Sequence, residues 1–169
     1  MLLRLARISD KENLRQLAEI TFRDTYTAFN TAENMENHVA KNFSLQQIEA
    51  ELQSPACQYI VIETNQELIG FAKLVKDHAT DGLTEQKVVE IERIYVQKAY
   101  HGQQLGRQLI NFCIDWSREN KFEVIWLGVW ENNHKAIQFY EKMGFQNFGT
   151  HVFVLGEEVQ TDFVMKKAL

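Results

Sequence analysis

The stretch EIERIYVQKAYHGQQLGR, residues 90–107, decides the fold of this chain. It begins as an apolar strand, passes through a turn that contains Gly102, and continues into a helix with Gly106 near its start. The first four amides of a helix lack a partner within the helix, and the helix dipole favours negative charge there. The pattern therefore predicts a phosphate cradle of backbone N–H groups, with His101 and Arg107 beside it. The alternative is that both glycines only shape the turn and the cap, and neither a P-loop nor a Rossmann fingerprint is present.

A second stretch, WLGVWENNHKAIQFYEKMGF, residues 126–145, predicts a buried strand, a polar turn rich in Asn, and a short helix. The strand is apolar almost throughout, which is typical of a central strand that is covered on both faces. Tyr140 lies near the end of the helix, where it is either an aromatic core residue or a functional phenol. The roles of Asn132 and Asn133 are also undecided between a functional and a structural one, because turns and helix N-caps favour Asn.

Two carboxylates lie in the strand that precedes the glycine turn. Side chains alternate along a strand, so Glu90 and Glu92 are expected on one face, roughly 7 Å apart. They are either paired with cations such as Arg93 or line a site for a cationic ligand. A β-bulge in this strand would change which face each residue occupies.

The first third of the chain predicts a strand followed by helices. Residues 2–8 fit an edge strand, and Ser9 with Glu12 forms a capping box that predicts a helix from about residue 10 to about residue 27. Asn30 to Glu36 is polar and is predicted as a loop before more helix. Ser44 and Gln47 form a second capping box, and Pro55 marks the end of that helix. The face of the first helix that is expected in the core carries Leu14, Leu17, Ala18 and Thr21.

The rest of the chain alternates strands with two helices. Residues 57–64 and 67–76 predict a hairpin around Asn65-Gln66, and residues 78–85 are the richest in turn formers. A helix is predicted from Gln104 to about Asn120, with Leu105, Leu109, Phe112, Cys113 and Trp116 on one face. Gly144 is the predicted C-cap of the helix that carries Tyr140, and two strands around a turn at Gly156 end the chain. The predicted order is β-α-α-β-β-β-α-β-α-β-β, an α/β unit with helices on the faces of a sheet.

Length and composition favour one domain over residues 1–169. With 169 residues and 45% hydrophobic content, one core fits and two would be cramped. The N-terminus lacks the continuous apolar segment of a signal peptide, and no run approaches the roughly 20 apolar residues that span a bilayer. We therefore expect a soluble, cytoplasmic protein without a membrane partner. The net charge of −5 argues against a nucleic-acid-binding surface.

Neither the cysteines nor the histidines predict a metal or thiol site. Cys57 and Cys113 are the only cysteines, and Cys113 is expected to be a buried free thiol on the apolar face of a helix. The five histidines show no metal-ligand spacing. We therefore expect no metal.

At these residues the sequence resembles the Gcn5-related N-acetyltransferase (GNAT) superfamily, which transfers acetyl groups from acetyl-CoA to amines. The resemblance covers residues 85–167 well and the N-terminal helices more loosely. The segments TFRDTY, AENM, EIERIYV, IWLGVWE, AIQFYEKMGF and EEVQTDFVMKKAL are similar to those of the bacterial PaiA-type spermine/spermidine N-acetyltransferases. The resemblance implies the single-domain acyl-CoA N-acyltransferase fold, with a mixed, mostly antiparallel sheet of about seven strands and helices on both faces. It also implies a possible homodimer that pairs through the C-terminal strands.

The resemblance assigns roles to individual residues. The superfamily's pyrophosphate signature is Gln or Arg, two residues, Gly, one residue, then Gly or Ala; the matching positions here are 101–106, and His101 and Gln104 depart from it. It implies that strands 88–96 and 124–130 split, so that the pantetheine arm enters the sheet along the first of them. Tyr140 would stand near the thioester sulfur. The cofactor-binding residues so implied are Ile94, Tyr95, Val96, His101, Gly102, Gln103, Gln104, Leu105, Gly106, Arg107, Asn133 and Tyr140.

The implied reaction needs a base and an acid. An aliphatic amine has a pKa of about 10.4, so only about one molecule in a few thousand is nucleophilic at pH 7. Glu90 or Glu92 is expected to take the proton, directly or through a water, and Tyr140 to protonate the departing thiolate. The expected substrates are acetyl-CoA and a primary amine, in particular a polyamine such as spermidine or spermine.

Two other functions compete with polyamine acetylation. One is acetylation of a protein, peptide or antibiotic amine, which would need a wider groove near Phe29 to Glu36. The other is a non-catalytic CoA-binding or regulatory module, which would bind CoA tightly and acetylate nothing. Tyr140 with Glu90 and Glu92 favours an enzyme, and the absence of a basic patch argues against direct DNA contact.

Overall fold

The computed structural model describes residues 1–83, 87–155 and 157–169. In these ranges the chain forms seven strands and five α-helices, with short 3-10 turns at Ile8–Asp10, Thr27–Phe29 and Lys98–Tyr100. None of the described helices is long and apolar enough to cross a membrane. The strands, β1 to β7, are Leu2–Leu5, Cys57–Thr64, Glu67–Lys76, Val88–Val96, Val124–Trp130, Gln146–Leu155 and Glu158–Ala168. The helices, α1 to α5, are Lys11–Tyr26, Ala32–Asn42, Leu45–Gln53, Leu105–Glu119 and His134–Lys142.

The strands form one sheet in the order β1-β2-β3-β4-β5-β7-β6. All neighbours are antiparallel except β4 and β5, which are parallel. This arrangement confirms the predicted mixed, mostly antiparallel sheet of seven strands. The parallel pair in the middle requires a crossover connection, and α4 provides it.

A hydrophobic core lies on each face of the sheet, which explains why the central strands are apolar at consecutive positions. In β2, Ile60 and Ile62 join the core that packs against α4, whereas Tyr59 and Val61 join the core that packs against the first three helices. The face of α1 predicted from its spacing is buried as expected, together with Phe22. Burial on both faces fixes the strand register, because a slip of one residue would move the side chains of each core to the opposite face of the sheet.

The predicted Ser9–Glu12 capping box is wrong. A 3-10 turn at Ile8–Asp10 precedes α1, and the backbone N–H of Arg7 donates to Asp10 Oδ2 at 2.6 Å. Arg4 holds the same carboxylate through two hydrogen bonds of 2.7 and 2.9 Å. A tertiary ion pair from β1 therefore decides where this helix begins, and Ser9 lies inside the turn.

The predicted loop from Asn30 to Glu36 is also wrong, because α2 begins at Ala32. Thr31 is its N-cap and accepts a hydrogen bond from the backbone N–H of Asn34 at 3.2 Å. Only Met35 and Val39 of this helix are buried, so its apolar stripe is too narrow to stand out in the sequence. Three helices, and not two, therefore connect β1 to β2.

The other predicted turns agree with the structure. Ser44 caps α3 by accepting from the backbone N–H of Gln47 at 3.1 Å. Asn65 and Gln66 form the two-residue hairpin, both with positive φ, at 48° and 67°. Gly144 ends α5 with a φ of 87°. The predicted turn at Gly156 and residues 84 and 85 of the predicted turn-rich stretch 78–85 lie outside the described residues.

Candidate active site

Strands β4 and β5 separate in the middle of the sheet. They pair only where Val88 to Glu90 lie opposite Val124 to Trp126, and no further pairs follow within the described residues. The separated halves, Ile91 to Val96 and Leu127 to Trp130, line a cavity of about 530 Å³. A second cavity of about 280 Å³ adjoins it. The split that the resemblance implied is therefore present, and it leaves one edge of β4 unpaired in the sheet.

A β-bulge at Glu92 explains why β4 bends away. Lys73 of β3 lies opposite Arg93, but the next residue, Leu74, lies opposite Ile91, so Glu92 has no partner in β3. Such a bulge adds a residue to one strand and bends it. It also turns Arg93 to the same side as Glu92, so both residues line the smaller cavity.

The glycine turn leads from β4 to the N-terminus of α4. Gly102 has a φ of +83°, and a Cβ there would meet nothing within 4 Å, so the backbone conformation and not the space favours glycine. Gln104 is also left-handed, with a φ of 59°, and is the residue before the helix. The first amides of α4 have no acceptor within the helix, because its backbone bonds begin with Gln108 N donating to Gln104 O at 3.1 Å.

The predicted cofactor residues divide into two groups. Those that line the larger cavity are Ile94, Tyr95, Val96, His101, Asn133 and Tyr140. The backbone turn Gly102 to Arg107 lines neither cavity and follows directly after His101. The Leu105 side chain is buried in the core, so only its backbone is available to a ligand. The Nε2 atom of His101 lies 2.8 Å from the Val96 carbonyl oxygen, which ties the turn to the end of β4.

Tyr140 lies at the inner wall of the larger cavity. Its ring centroid is 5.4 Å from that of Phe139 and 6.0 Å from that of Phe145. Burial raises the pKa of the Tyr140 hydroxyl well above its usual range, so the phenol is protonated at neutral pH. Tyr26 and Tyr95 line the same cavity, and burial raises the pKa of both hydroxyl groups. Tyr140 therefore packs against the core and also lines the cavity, which leaves both interpretations of it open.

Asn133 likewise has a structural role beside its position in the cavity wall. Its Oδ1 atom accepts a hydrogen bond from the backbone N–H of Ala136 at 3.2 Å, which makes it the N-cap of α5. Asn132 lines the larger cavity next to it. The helix cap therefore accounts for Asn133 Oδ1, and the amide nitrogen of Asn133 is the group that could contact a ligand.

Glu92 is paired with cations. Its Oε2 atom lies 2.6 Å from Lys73 Nζ and 3.5 Å from Arg93 Nε. Lys73 is almost fully buried and also contacts Glu51 Oε1 at 2.8 Å. Glu51 in turn accepts from the Tyr59 hydroxyl and from Gln47 Nε2 at 3.0 Å. The carboxylate of Glu92 therefore belongs to a network that joins β3 and β4 to α3.

Glu90 has different surroundings, although it lines the same smaller cavity. Its Oε2 atom contacts Nδ1 of His78, and Trp126 Nε1 donates to the His78 carbonyl at 2.9 Å. Burial raises the pKa of the Glu90 carboxyl, and the contact with His78 opposes that rise. Glu90 and Glu92 thus line one cavity, which is consistent with the prediction that they share a face. Their carboxylates contact different partners, His78 for Glu90 and Lys73 with Arg93 for Glu92.

The sequence did not single out Asp162 and His151, which also line the smaller cavity. Asp162 Oδ2 lies 3.7 Å from His151 Nε2. Burial raises the pKa of the Asp162 carboxyl, and the nearby His151 lowers it. A Cβ on Gly128 would come within 2.9 Å of His151 Cε1 and 3.4 Å of Asp162 Oδ2. A glycine inside a buried strand was the one local signal for this close approach.

Known proteins resemble this chain in sequence and in fold. A family model described as the acetyltransferase (GNAT) family matches residues 14–145. An uncharacterized N-acetyltransferase in the pepI 3' region of Lactobacillus delbrueckii subsp. lactis is 35% identical over 168 residues, which covers 98% of this chain and 97% of that protein. The spermine/spermidine N(1)-acetyltransferase of Bacillus subtilis is 31% identical over 94 residues, or 55% of this chain and 61% of that one. The crystal structure of the PaiA N-acetyltransferase from Thermoplasma acidophilum with coenzyme A superposes with a TM-score of 0.80 at 22% identity, and all of both chains is covered.

Proposed function

Because this chain belongs to the acetyltransferase (GNAT) family and is an N-acetyltransferase, we propose that it moves the acetyl group of acetyl-CoA to a primary amine and that this amine is a polyamine such as spermidine or spermine. The observation that carries the first half is the separation of β4 from β5 beside Tyr140. The observation that carries the second half is the acidic wall of the adjoining cavity. The two halves are supported separately and are tested separately.

The separated strands suit an extended acyl-pantetheine arm. The unpaired edge of β4 offers backbone groups over Ile91 to Val96, and the amides of Gly102 to Arg107 follow along the chain at the N-terminus of α4. Backbone N–H groups in such a turn bind phosphate without a charged side chain. The residues present therefore fit acetyl-CoA, with the diphosphate at the turn and the thioester beside Tyr140.

The smaller cavity suits an acceptor with several positive charges. Its wall contains the carboxylates of Glu90, Glu92 and Asp162, and the only arginine or lysine among its described lining residues is Arg93. A polyamine carries ammonium groups at a regular spacing along an apolar chain, so more than one carboxylate contacts one molecule. The name of the Bacillus subtilis relative supports the same class of acceptor.

Tyr140 acts on the leaving group in this scheme. A thiol has a reference pKa near 8.5 and a phenol one near 10, so the phenol stays protonated until the sulfur develops negative charge. Burial raises the pKa of Tyr140 further, which keeps the phenol protonated in the resting protein and also makes it a weaker acid toward the thiolate. Its proton is therefore transferred as the carbon–sulfur bond breaks and not before.

Turnover with a panel of amines tests this proposal. Release of the free thiol from acetyl-CoA is measured with spermidine, spermine, lysine and a peptide with a free N-terminus. We expect kcat/KM to be highest for the polyamines. Equal or lower values for the polyamines would remove the acceptor assignment and leave the acetyl transfer, whereas no thiol release with any amine would remove the transfer as well.

A peptide or protein amine is the second candidate acceptor, and one observation favours it. Phe29 is 58% exposed, lines the larger cavity, and has its ring 5.3 Å from the ring of Trp130. Such an exposed aromatic pair at the rim would suit a peptide side chain. The peptide arm of the panel separates the two acceptors, and membership of an N-acetyltransferase family sets aside the non-catalytic module.

We also propose that the protein acts in the cytoplasm as a homodimer that pairs through β6. This strand lies at one edge of the sheet, and Val152 and Val154 on it are 63% and 57% exposed. Both cysteines are free thiols, which suits a reducing compartment. Sedimentation of the purified protein should give twice the monomer mass, and Val152→Lys should return the monomer.

A further inference from the structure

The two cavities meet at a small set of side chains, and this junction is where the acceptor nitrogen must reach the thioester. The larger cavity contains Tyr140 but not Glu90, and the smaller contains Glu90 but not Tyr140. In the proposed function the acceptor lies in the smaller cavity and the thioester in the larger, so the group that takes the proton from the attacking nitrogen is expected among the residues that line both. The described residues that line both are Tyr26, Glu92, Arg93, Tyr95, Gly128, Gln160 and Asp162.

Of the two carboxylates in that set, Glu92 is engaged elsewhere. Lys73 Nζ, at 2.6 Å, and Arg93 Nε, at 3.5 Å, both contact its Oε2 atom. The Lys73 side chain is only 5% exposed. If Glu92 took a proton, this buried ammonium would lose one of its two carboxylate partners, which is a costly change in the interior.

Asp162 lacks such a clamp. Its side chain is 15% exposed, and the one basic side chain that the structure gives it as a contact among the described residues is His151 at 3.7 Å, beyond hydrogen-bond distance. Burial also disfavours its charged form, which makes the carboxylate a better proton acceptor than an exposed aspartate. The groups facing it are Tyr26 from α1, Glu92, Arg93 and Tyr95 from β4, and His151 from β6.

We propose that Asp162 is the catalytic base that takes the proton from the acceptor amine, with His151 as its positioning residue. This role rests on the proposed acetyl transfer. Gly128 makes room for the pair, because a side chain at that position would collide with His151. Glu92 then holds Lys73 and Arg93 in place beside the junction. Glu90 is available to contact a second ammonium group of the acceptor.

The step balances with these groups alone. The ammonium of the acceptor gives one proton to the Asp162 carboxylate, which releases it to solvent after the reaction. The neutral nitrogen forms the bond to the thioester carbonyl carbon, and the carbon–sulfur bond breaks. Tyr140 gives its proton to the sulfur, and its phenolate receives the second proton that the nitrogen loses. The products are the acetylated amine, the free thiol and one proton.

Asp162→Asn tests the role, because it keeps the shape and removes the base. With spermidine as acceptor, we expect kcat to fall about 100-fold or more, the loss typical of removing a general base, while binding of acetyl-CoA is unchanged. We also expect the acid limb of the kcat/KM profile to disappear. Asp115→Asn, on the exposed face of α4 with a 70% exposed side chain, is the matched control and should behave like the unchanged protein.

His151→Gln provides a second test that does not depend on the aspartate variant folding. Because His151 lowers the pKa of Asp162, its removal should move the acid limb to higher pH. Glu92→Gln should retain the acid limb, since Glu92 is not the group that titrates in this role. An Asp162→Asn protein with the kcat and acid limb of the unchanged protein would overturn this role alone. No turnover of any amine by the unchanged protein would overturn the proposed function and this role together.

Discussion

Lys73 Nζ lies 2.6 Å from Glu92 Oε2, and this ion pair divides the two glutamates of β4 into different roles. The bulge leaves Glu92 without a partner in β3 but next to Arg93, which lies opposite Lys73, and the Lys73 ammonium also contacts Glu51 of α3. Glu92 therefore joins the sheet to a helix, whereas Glu90 contacts the more exposed His78. Two residues that look alike in the sequence thus differ in what holds their charge.

Lys73→Met should destabilise the fold. It removes a buried cation from two carboxylates, and breaking a buried ion pair by deleting one partner costs about 3 kcal/mol or more. The free energy of unfolding from urea titration at pH 7 measures the loss. Arg118→Gln is the control, because the Arg118–Asp115 pair is exposed on both sides and should leave the urea midpoint unchanged. Equal midpoints for the Lys73 variant and the control would contradict a structural role for the network.

Tyr140→Phe should slow the reaction without weakening the binding of coenzyme A. The hydroxyl is the group expected to protonate the sulfur, and loss of a general acid costs about 100-fold in kcat. The ring is retained, so its packing against Phe139 and Phe145 should persist. Turnover with acetyl-CoA and calorimetric binding of coenzyme A are compared in the two proteins. An unchanged kcat would remove the acid role.

Two substitutions in the glycine turn should change the affinity for coenzyme A in opposite directions. Gly102→Ala places a side chain at a φ of +83°, so it should cost about 1 kcal/mol and weaken coenzyme A binding. Gln104→Gly removes the side chain from a left-handed position where the superfamily signature has glycine, so it should strengthen binding. Calorimetry with coenzyme A measures both. Identical affinities for these two variants would mean that this turn does not contact the ligand.

His38 should make the fold sensitive to acid. Its ring stacks on Phe22 at 4.3 Å between centroids, and burial with the nearby Arg93 lowers its pKa to about 4. The unfolded chain has a reference pKa near 6.5 at this residue and binds the proton first, so stability falls as the pH drops from about 6.5 to about 4. The urea midpoint against pH shows this slope. His38→Phe keeps the stack and should flatten the slope in that window; an unchanged slope would mean that other groups cause it.

Local patterns in the sequence were enough for most of the fold. The strand-like runs at residues 57–64 and 67–76, the two-residue hairpin turn at Asn65-Gln66 and the cap at Ser44 each depend on neighbouring residues, and each agrees with the structure. The start of α1 near residue 10 was predicted, but its cap at Ser9 was wrong because Asp10, held by Arg4 from another element, accepts from the Arg7 backbone instead. The first part of α2, within the predicted loop from Asn30 to Glu36, was missed because the helix buries only two residues on a narrow stripe.

The candidate site was accessible from the sequence only in part. Tyr140 and the turn at Gly102 lie in contiguous motifs, so they could be named in advance. Asp162 and His151 lie opposite each other in the β6–β7 hairpin, but only the strand order β5-β7-β6 brings that pair beside Gly128 of β5 and into the cavity wall. The pairing of Glu92 with Lys73 likewise depends on a register shift between two strands, which no spacing within either strand encodes.

A crystal structure of the protein with coenzyme A tests the central claim most directly. The account predicts the diphosphate against the backbone amides of Gly102 to Arg107, the pantetheine arm between β4 and β5, and the sulfur within hydrogen-bond reach of the Tyr140 hydroxyl at the junction with Asp162. A complex whose sulfur lies away from Tyr140, or whose diphosphate lies off the turn, would contradict it.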